Sequence, residues 1–553
     1  MSLITLLVTL VVVASLVHAT RFWPRVASVL ILLGGGLLVW GAWNASLNSL
    51  DVVGLTLVLD PFSRDFLTVA FALTMILALA STLVRDRSGL AFLFWTWPAW
   101  VVALSVNDLV VSVFAWALGM VAAVLAMKPR KYQRASGAAY FLVLVVVAAA
   151  SLLLANRFIV LYPLTPERTV LVQFAVLFLT WGMGLYLSVF PFHLWVAPMS
   201  DDAPLPVLAA LLGLGQPIGL LLLMSLFSQY PWILDRSNLL QLLSLGGAAA
   251  VITGGVMAAV ERRAGRLLGY AGIFSLGFAL VSLSHLTRES LAYGGLEILT
   301  RGFALAAMAC AITVAEAVHS RWVQRLALVV FILSALSLVG LRLGVSFASR
   351  WNVMVEWAGT DMRLLAVVLV AHTGLVVGIV RFARRWLESQ EAVAGPALAV
   401  AGVELAEPAV GITQAKGVAA VVESHSSAGE SNAPVGDTAR TSEASLESGS
   451  ESAPPENREP AGAAISEDYV FEEHVRELAR TLVARYGSRL TGLVRALPRQ
   501  TRSTLFQLWQ NWRVGAGMAL LVVVVALLLL TSLEPGLWFN RILDSLGSLP
   551  FAQ

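Results

Sequence analysis

Long apolar runs separated by short polar loops make up most of the chain. A helix needs about 20 mostly apolar residues to cross a bilayer. About fourteen stretches approach that length, at residues 2–19, 26–43, 65–84, 88–106, 108–127, 136–155, 169–190, 205–228, 237–260, 266–284, 290–318, 326–358, 362–383 and 514–533. The pattern predicts an all-α polytopic membrane protein. We expect the first run to be a retained helix and not a signal peptide, because no charge precedes it and no small-residue cleavage site follows it.

The composition supports this prediction and excludes several classes of protein. Hydrophobic residues make up 58% of the 553 and charged residues 13%, whereas soluble domains have roughly 45–50% and 25%. This excludes a soluble enzyme with a single membrane anchor. The single cysteine, Cys310, excludes a disulfide within the chain and a cysteine-bound iron–sulfur cluster. We therefore expect no cofactor in this chain, and no nucleotide-binding loop or nucleic-acid partner.

The distribution of basic residues predicts the orientation. With the N-terminus outside, the loops on the inner side hold most of the basic residues near the spans, namely Arg21, Arg25, Arg85, Arg87, Lys128, Arg130, Lys131, Arg134, Arg262, Arg263, Arg266, Arg321, Arg325, Arg381, Arg384 and Arg385. The positive-inside rule then puts both termini outside, in what we expect to be a prokaryotic plasma membrane. One inner loop is an exception, because it carries Asp201 and Asp202.

Residues 386–513 form a polar insertion that we expect on the cytoplasmic side. Residues 389–466 are rich in Ala, Glu, Ser, Gly and Pro, which favours a disordered linker. Residues 467–513 begin with apolar residues at helical spacing, which predicts an amphipathic juxtamembrane helix. That helix either lies on the inner membrane surface or docks a partner subunit. Residues 514–553 would hold the last transmembrane helix and an outside tail.

Charged residues inside the apolar runs are the candidate functional residues, because a charge at the bilayer centre costs about 2.5–3.5 kcal/mol. Glu297 and Arg301 lie four positions apart on one helical face, a spacing that permits an ion pair. Such a pair would either hold helices together or take part in ion relay.

The long run at 326–358 contains a second group of charges, Arg342, Arg350 and Glu356. Its Gly340 and Gly344 favour a helix broken within the membrane, as transporters use around ion sites. Arg350 follows the predicted break, and it would either serve an ion pathway or extend along the helix to the membrane surface.

Two further sites carry weaker signals. His193 lies at an inner membrane boundary, where it would be a packing residue or a proton relay. Asp60, Arg64 and Asp65 lie at the start of the third run, where we expect charges that cap a helix, since Pro61 follows Asp60.

Four segments, in order along the chain, resemble the antiporter-like membrane subunits of complex I, the proton-pumping NADH:quinone oxidoreductase. They are LTLVLDPFSRDF before the third run, PFHLWVAPMSDDAPLPV between the seventh and eighth, RLLGYAGIFSLGF opening the tenth, and LSLVGLRLGVSFASRW in the twelfth. Membrane-bound hydrogenases and multi-subunit cation/proton antiporters share the fold of this family.

The resemblance implies how the chain is organised. Residues 88–228 and 237–358 would be two inverted five-helix repeats, each with a broken helix. Residues 1–87 would form the first three helices, and residues 362–388 the thirteenth. The implied partners are other membrane subunits, the lipid bilayer and, indirectly, redox subunits that hold flavin and iron–sulfur clusters.

The chain departs from the family at the positions that the resemblance makes functional. Where the family has a glutamate, two lysines and a frequent histidine, this chain has Ala117 (Leu118 if the register slips by one), Tyr186, Gln216 and Ser275. In the second half, Arg301 and Arg350 fall where lysines are common, and Glu297 where some members carry histidine. Arginine stays protonated in proteins, so it cannot replace lysine as a titrating group.

These departures leave three hypotheses open. The chain is a subunit that still supports proton movement through Glu297, Arg301, Arg350 and Glu356, with His193 as a further candidate. Alternatively, it is a non-pumping scaffold subunit of the same kind of assembly. In the third hypothesis it belongs to a cation/proton antiporter, an inorganic-carbon uptake complex or a membrane hydrogenase. None of these makes the chain more than a translocase subunit without redox chemistry of its own.

Overall fold

A computed structural model of the protein describes residues 1–52, 54–84, 90–125, 127, 136–318, 320–341, 346–404, 499–533 and 535–546. These residues are helical apart from turns, short 3₁₀ and π segments and one antiparallel hairpin, β1 (Leu50–Val52) with β2 (Leu55–Leu57). The helices are α1 Leu3–Thr20, α2 Pro24–Trp43, α3 Pro61–Leu83, α4 Leu90–Trp95, α5 Trp97–Ser105, α6 Leu109–Leu125, α7 Ser136–Leu161, α8 Thr169–Leu187, α9 Val196–Asp202, α10 Leu205–Ala210, α11 Gln216–Gln229, α12 Trp232–Asp235, α13 Leu239–Val260, α14 Ala264–Ser284, α15 Arg288–Ala317, α16 Arg321–Val339, α17 Ser346–Thr360, α18 Met362–Glu404, α19 Arg499–Leu533 and α20 Pro535–Leu546.

Most of these helices are long and apolar enough to cross a membrane. Twelve described segments meet that requirement, and two shorter apolar helices cover Leu93–Ser105 and Leu109–Leu125. Large apolar side chains of α1, α2, α7 and α18 remain exposed along their length, as expected for surfaces solvated by lipid. The protein is therefore an integral membrane protein with the predicted helical fold class. The total of fourteen spans and the two inverted repeats stay predictions.

The central helix of the bundle is α15. It contacts α3, α10, α14, α16, α17 and α20, and nearly all of its residues from Ser290 to Val314 are buried. Small residues permit this close packing. At the crossing with the α10–α11 segment, a Cβ on Gly213 would lie 3.3 Å from the Cα of Gly302. The two charges within this stretch, Glu297 and Arg301, are consequently enclosed by protein and not by lipid.

The helix break predicted in the run at 326–358 is present. α16 ends at Val339, and Gly340 adopts a left-handed conformation with φ of +74°. That conformation is costly for residues with a Cβ, which explains the glycine here. The chain resumes as α17 at Ser346. Arg342 and Gly344 lie outside the described residues.

The first half contains two helix interruptions whose positions the sequence did not predict. α8 ends at Leu187, followed by Ser188 in the left-handed region with φ of 60°. Between α10 and α11, residues Leu211–Gly215 form one π-helical turn, which ends at Gln216. Turns of this kind are frequent at functional sites. Both interruptions lie beside polar residues named from the sequence, Tyr186 and Gln216.

One face of the bundle, here called the hairpin face, gathers the β-hairpin and the chain ends of several helices. The amino group of Met1 donates to the carbonyl of Asn44 at 2.5 Å. Leu57 forms a β-bridge with Val106. On the same face, α20 packs on the start of α15, where the rings of Tyr293 and Phe539 lie 4.7 Å apart.

The charges at the start of α3 behave in two different ways. Asp60 caps the helix, because its Oδ1 accepts a hydrogen bond from the backbone N–H of Ser63 at 2.8 Å. This confirms the capping prediction for Asp60. Asp65 instead accepts two hydrogen bonds from the guanidinium of Arg541, at 2.8 and 2.9 Å. The capping prediction is wrong for Asp65, which ties α20 to α3.

The acidic loop that broke the charge pattern lies on the opposite face. Asp201 pairs with Arg263 at 2.9 Å and with Arg266 at 2.6 Å. Asp202 accepts a hydrogen bond from the backbone N–H of Gly137 at 2.7 Å, at the start of α7. Two arginines therefore neutralise Asp201, whereas Asp202 is bound through a backbone N–H.

The helix α18 continues into the predicted polar insertion. α18 continues as one helix from Met362 to Glu404, so residues 389–404, assigned above to a disordered linker, are helical. α19 is likewise continuous from Arg499 to Leu533, with no boundary at 513–514. The remainder of the predicted linker and most of the predicted amphipathic helix lie outside the described residues.

Candidate functional site

The carboxylate of Glu297 lies at the centre of the bundle, on α15, with no exposed surface. Its Oε1 accepts hydrogen bonds from Ser275 Oγ at 2.6 Å and from Arg350 Nη2 at 2.6 Å and Nε at 3.2 Å. Its Oε2 accepts from Ser349 Oγ at 2.7 Å. Three helices, α14, α15 and α17, thus supply one hydrogen-bonded group, here called the carboxylate cluster: Ser275, Glu297, Ser349 and Arg350.

The break between α16 and α17 positions Arg350. The guanidinium carbon lies 5.4 and 5.0 Å from the ring centroids of Phe274 and Phe278. A Cβ on Gly340 would come within 2.7 Å of Arg350 Cδ, so the arginine stem packs against the glycine of the break. Arg350 is only 1% exposed. The structure therefore contradicts the alternative in which this side chain extends to the membrane surface.

Arg301 belongs to a second buried group, here called the guanidinium cluster: Ser188, Gln216 and Arg301. Arg301 Nη2 donates to Gln216 Oε1, and Gln216 Nε2 donates to Ser188 Oγ at 3.1 Å. Arg301 and Gln216 are each 1% exposed. Among the described residues, Arg301 Nε and Nη1 have no hydrogen-bond partner.

The ion pair that the sequence spacing permitted between Glu297 and Arg301 is not the pair that forms. Within the described residues, Glu297 is bound by Arg350, and Arg301 by the side-chain amide of Gln216. Between the two clusters, Ser346 Oγ and Thr300 Oγ1 are hydrogen-bonded at 2.9 Å. The two clusters lie one turn apart on α15 and so form one polar band across the bundle.

The remaining family positions are occupied by groups without charge. The hydroxyl of Tyr186 donates to the carbonyl of Gly215 in the π-helical turn, and its ring meets Trp116 edge-on at 4.1 Å. Ala117 is half-buried and Leu118 is exposed, so neither register of this position supplies a polar group. Aromatic packing has taken the place of a carboxylate here.

Two predicted site residues lie apart from the polar band. His193 is buried in a short 3₁₀ helix, where its ring stacks on Phe190 at 5.8 Å, and its Nδ1 has no hydrogen-bond partner among the described residues. Glu356 is about one-third exposed, and its Oε1 lies 2.9 Å from His285 Nδ1. Of the five candidates, the structure brings together Glu297, Arg301 and Arg350.

Sequence reasoning missed Ser349 and His285. Ser349 is adjacent to Arg350 in the broken-helix segment, and this adjacency was the available signal. His285 follows α14 in a loop, without a motif, so only its contact with Glu356 identifies it.

A polar cavity of about 560 Å³ opens at the opposite face, beside the end of α15. Its walls include Asp201, Arg263, Thr313 and Glu316. Thr313 is twelve positions from Arg301, or about 18 Å along a helix. The intervening residues of α15 are apolar or small, so this cavity and the polar band are separate features.

The described residues contain no group of three His, Cys, Asp or Glu side chains that could hold a metal ion. The chemistry that the polar band offers is therefore electrostatic. One buried acid is balanced by one arginine, while a second arginine is held by an amide.

Comparison with known proteins identifies this fold. The family model described as "NADH:quinone oxidoreductase/Mrp antiporter, TM" matches residues 106–376. This range contains both clusters.

Solved structures share the fold at low sequence identity. A chain of the Mrp complex from Dietzia sp. DQ12-45-1b is 18% identical, with a TM-score of 0.58 over 68% of this chain and 77% of that one. A chain of the membrane-bound sulfane sulfur reductase, an archaeal respiratory membrane complex, is 16% identical, with a TM-score of 0.58 over 68% and 86%. A chain of respiratory complex I from Thermus thermophilus is 17% identical, with a TM-score of 0.52 over 68% and 88%.

The family match and the shared fold agree with the resemblance seen in the four sequence segments. Residues 106–376 therefore match the family of antiporter-like membrane subunits, and the fold of the bundle agrees with that match.

Proposed function

We propose that this antiporter-like subunit supports proton translocation, with Glu297 as the residue that takes up and releases the proton. The partners are other membrane subunits of a multi-subunit complex, since the related chains come from such complexes. Redox reactions, where the complex has them, would take place in other subunits, and this chain would hold no cofactor.

The observation that carries the proposal is the binding of Glu297. A carboxylate with no exposed surface is ionised only while charged or polar donors compensate its lost hydration. Arg350 supplies the compensating charge, and Ser275 and Ser349 supply hydrogen bonds. Loss of the Arg350 contact would favour the protonated acid, and its return would favour release of the proton.

Arg350 acts in this scheme by its position and not by titration. A guanidinium keeps its proton in proteins, so only movement can alter its effect on Glu297. The break at Gly340 gives α17 a place to move relative to α16. A conformational change in a neighbouring subunit that shifts α17 would then change the proton affinity of Glu297.

A non-pumping scaffold role is the second candidate, and the guanidinium cluster favours it. Gln216 and Ser188 do not titrate near neutral pH, and Arg301 stays charged. The guanidinium cluster therefore offers no group that exchanges protons near neutral pH, and Glu297–Arg350 would be a structural ion pair.

The test is translocation by the complete complex in sealed vesicles, comparing Glu297→Gln with Glu289→Gln. Glu289 is an exposed glutamate on the same helix, so it is a matched control. We expect Glu297→Gln to remove proton movement from an assembled complex, while Glu289→Gln leaves it unchanged. Normal translocation by assembled Glu297→Gln would refute the proposal and support the scaffold role. Replacing sodium in the medium by choline distinguishes proton from sodium movement.

A further inference from the structure

We propose that His285, together with Glu356, is the proton-exchange site that links Glu297 to water on the hairpin face. This inference rests on the proposed translocation through Glu297. It gives a function to His285, which lies outside both buried clusters and has a carboxylate as its partner.

The location of His285 supports this role. It is the C-cap residue directly after α14, and α15 begins three residues later at Arg288. Arg288 Nη2 donates to the carbonyl of Leu543 in α20 at 3.4 Å, so this loop belongs to the hairpin face. The side chains of His285 and Glu356 are 29% and 35% exposed. The pair therefore lies at the boundary between the packed bundle and its surroundings.

The geometry of the pair suits proton transfer. His285 Nδ1 lies 2.9 Å from Glu356 Oε1, within hydrogen-bond distance. His285 Nε2 is buried and has no hydrogen-bond partner among the described residues, whereas the Glu356 side chain is 35% exposed. In the release direction, Nε2 takes up a proton from the bundle side, Nδ1 gives its proton to Glu356, and Glu356 releases that proton to water. Neutral imidazole carries one proton on either nitrogen, so this step conserves protons and charge.

The two helices that donate hydrogen bonds to Glu297, α14 and α17, also extend to this pair. α14 provides Ser275 to the carboxylate cluster and ends at His285, ten positions or about 15 Å further on. α17 provides Arg350 and, six positions or about 9 Å later, Glu356. One route between the buried acid and the hairpin face therefore runs along the α14–α17 contact.

An aromatic wall joins the cluster to the pair. Phe278 on α14 covers the guanidinium of Arg350 at 5.0 Å and faces Trp357 on α17 at 6.1 Å. Trp357 is the neighbour of Glu356 in the sequence. A shift of α17 that separates Arg350 from Glu297 would also move Glu356 against His285, so both ends of the route respond to the same motion.

Other charged groups near the pair lie on its two adjoining segments. Arg288 and Glu289 begin α15, and Asp361 and Arg363 flank the start of α18. All four are exposed, and within the described residues none of them forms an ion pair with His285 or Glu356. Glu356 is therefore the charged group in direct contact with the imidazole.

The experiment compares His285→Ala, His285→Gln and Glu297→Gln in the complete complex in sealed vesicles. We expect both His285 variants to assemble and to translocate about a hundredfold more slowly, the lower end of the range for a lost acid–base group. Imidazole added on the hairpin side should restore much of the rate in His285→Ala, an effect that a structural role would not produce. Asp65→Asn removes a different ion pair of the same face and should not respond to imidazole.

The outcomes separate this inference from the proposed function. If Glu297→Gln blocks translocation while His285→Gln retains the full rate across pH, the exchange site is refuted and the role of Glu297 stands. A slow His285→Ala that imidazole does not restore also refutes it. Normal translocation by Glu297→Gln refutes both proposals. Should His285→Ala fail to assemble, the rate of His285→Gln across pH decides, since glutamine can still donate to Glu356.

Discussion

Arg350 donates two hydrogen bonds to one carboxylate oxygen of Glu297, from Nη2 at 2.6 Å and from Nε at 3.2 Å, inside a membrane bundle. The two residues are 53 positions apart and belong to α17 and α15. Both are almost completely buried. This ion pair joins the segment after the helix break to the central helix.

Breaking this ion pair from one side should destabilise the protein more than removing it altogether. Arg350→Met leaves a buried acid without its cation, and such changes cost about 3–5 kcal/mol. In the double variant Arg350→Met with Glu297→Leu, no charge is left to desolvate, so we expect part of that loss to be recovered. Unfolding of the purified protein in detergent, followed by a double-mutant cycle, measures the coupling. Additive effects of the two substitutions would contradict the prediction.

Gly340 should be intolerant of a side chain. Alanine would have to adopt a φ of +74°, and its Cβ would lie 2.7 Å from Arg350 Cδ. We expect Gly340→Ala to cost about 1–3 kcal/mol, the range for backbone held in unfavourable regions. Gly359→Ala is the control, because nothing lies within 4 Å of its Cβ position and it is helical. Thermal unfolding in detergent should show Gly359→Ala at or above the wild-type midpoint and Gly340→Ala below it.

Gln216 should be required as an acceptor for Arg301. Gln216→Leu removes the observed partner of a guanidinium that is 1% exposed, so we expect a loss of about 1–3 kcal/mol or more. Gln216→Glu keeps an acceptor and adds a counter-charge, so it should be more stable than Gln216→Leu. Gln173→Leu, at an exposed position of α8, is the control for a glutamine within an apolar run. Equal stability of all three variants and the wild type would show that Arg301 does not depend on this contact.

The contact between Asp65 and Arg541 should hold α20 on the bundle. Asp65 keeps the pKa of Arg541 above its ordinary value through their hydrogen bonds, and the guanidinium also lies 4.0 Å from the ring of Trp43. Because Arg541 is partly exposed, we expect coupling on the order of 1 kcal/mol between Asp65→Asn and Arg541→Gln. Limited proteolysis should cut near α20 faster in either variant. Unchanged cleavage would mean that apolar packing of α20 suffices.

The sequence predicted the membrane fold class and the buried charges with little ambiguity. A run of about twenty apolar residues is not stable when it is exposed to water, so it indicates a membrane span. Charged residues within such runs are rare, so each of them is a candidate functional residue. Glu297, Arg301 and Arg350 were found in this way, and all three are buried. Gly340 indicated the helix break from local sequence alone, because a left-handed residue at a helix end is favoured mainly by glycine itself.

Other features could not be predicted from local sequence. The interruptions at Ser188 and Leu211–Gly215 lie close to Pro191 and Pro217, but the local sequence does not specify the left-handed residue or the π-helical turn that the backbone adopts there. The capping prediction failed for Asp65 because its partner, Arg541, lies 476 positions away. The helical residues 389–404 were assigned to the linker because they were grouped with the polar residues that follow, although they are themselves mostly Ala, Val and Gly.

The sequence by itself determined that this is a helical membrane protein of the antiporter-like family with few charges inside its bundle. Only the tertiary structure decided how those charges combine. Spacing along α15 permits Glu297 to meet Arg301, but a buried carboxylate is stable where several donors converge on it. Helices α14 and α17 bring Ser275, Ser349 and Arg350 to that point, while Arg301 is bound by Gln216 across the π-helical turn.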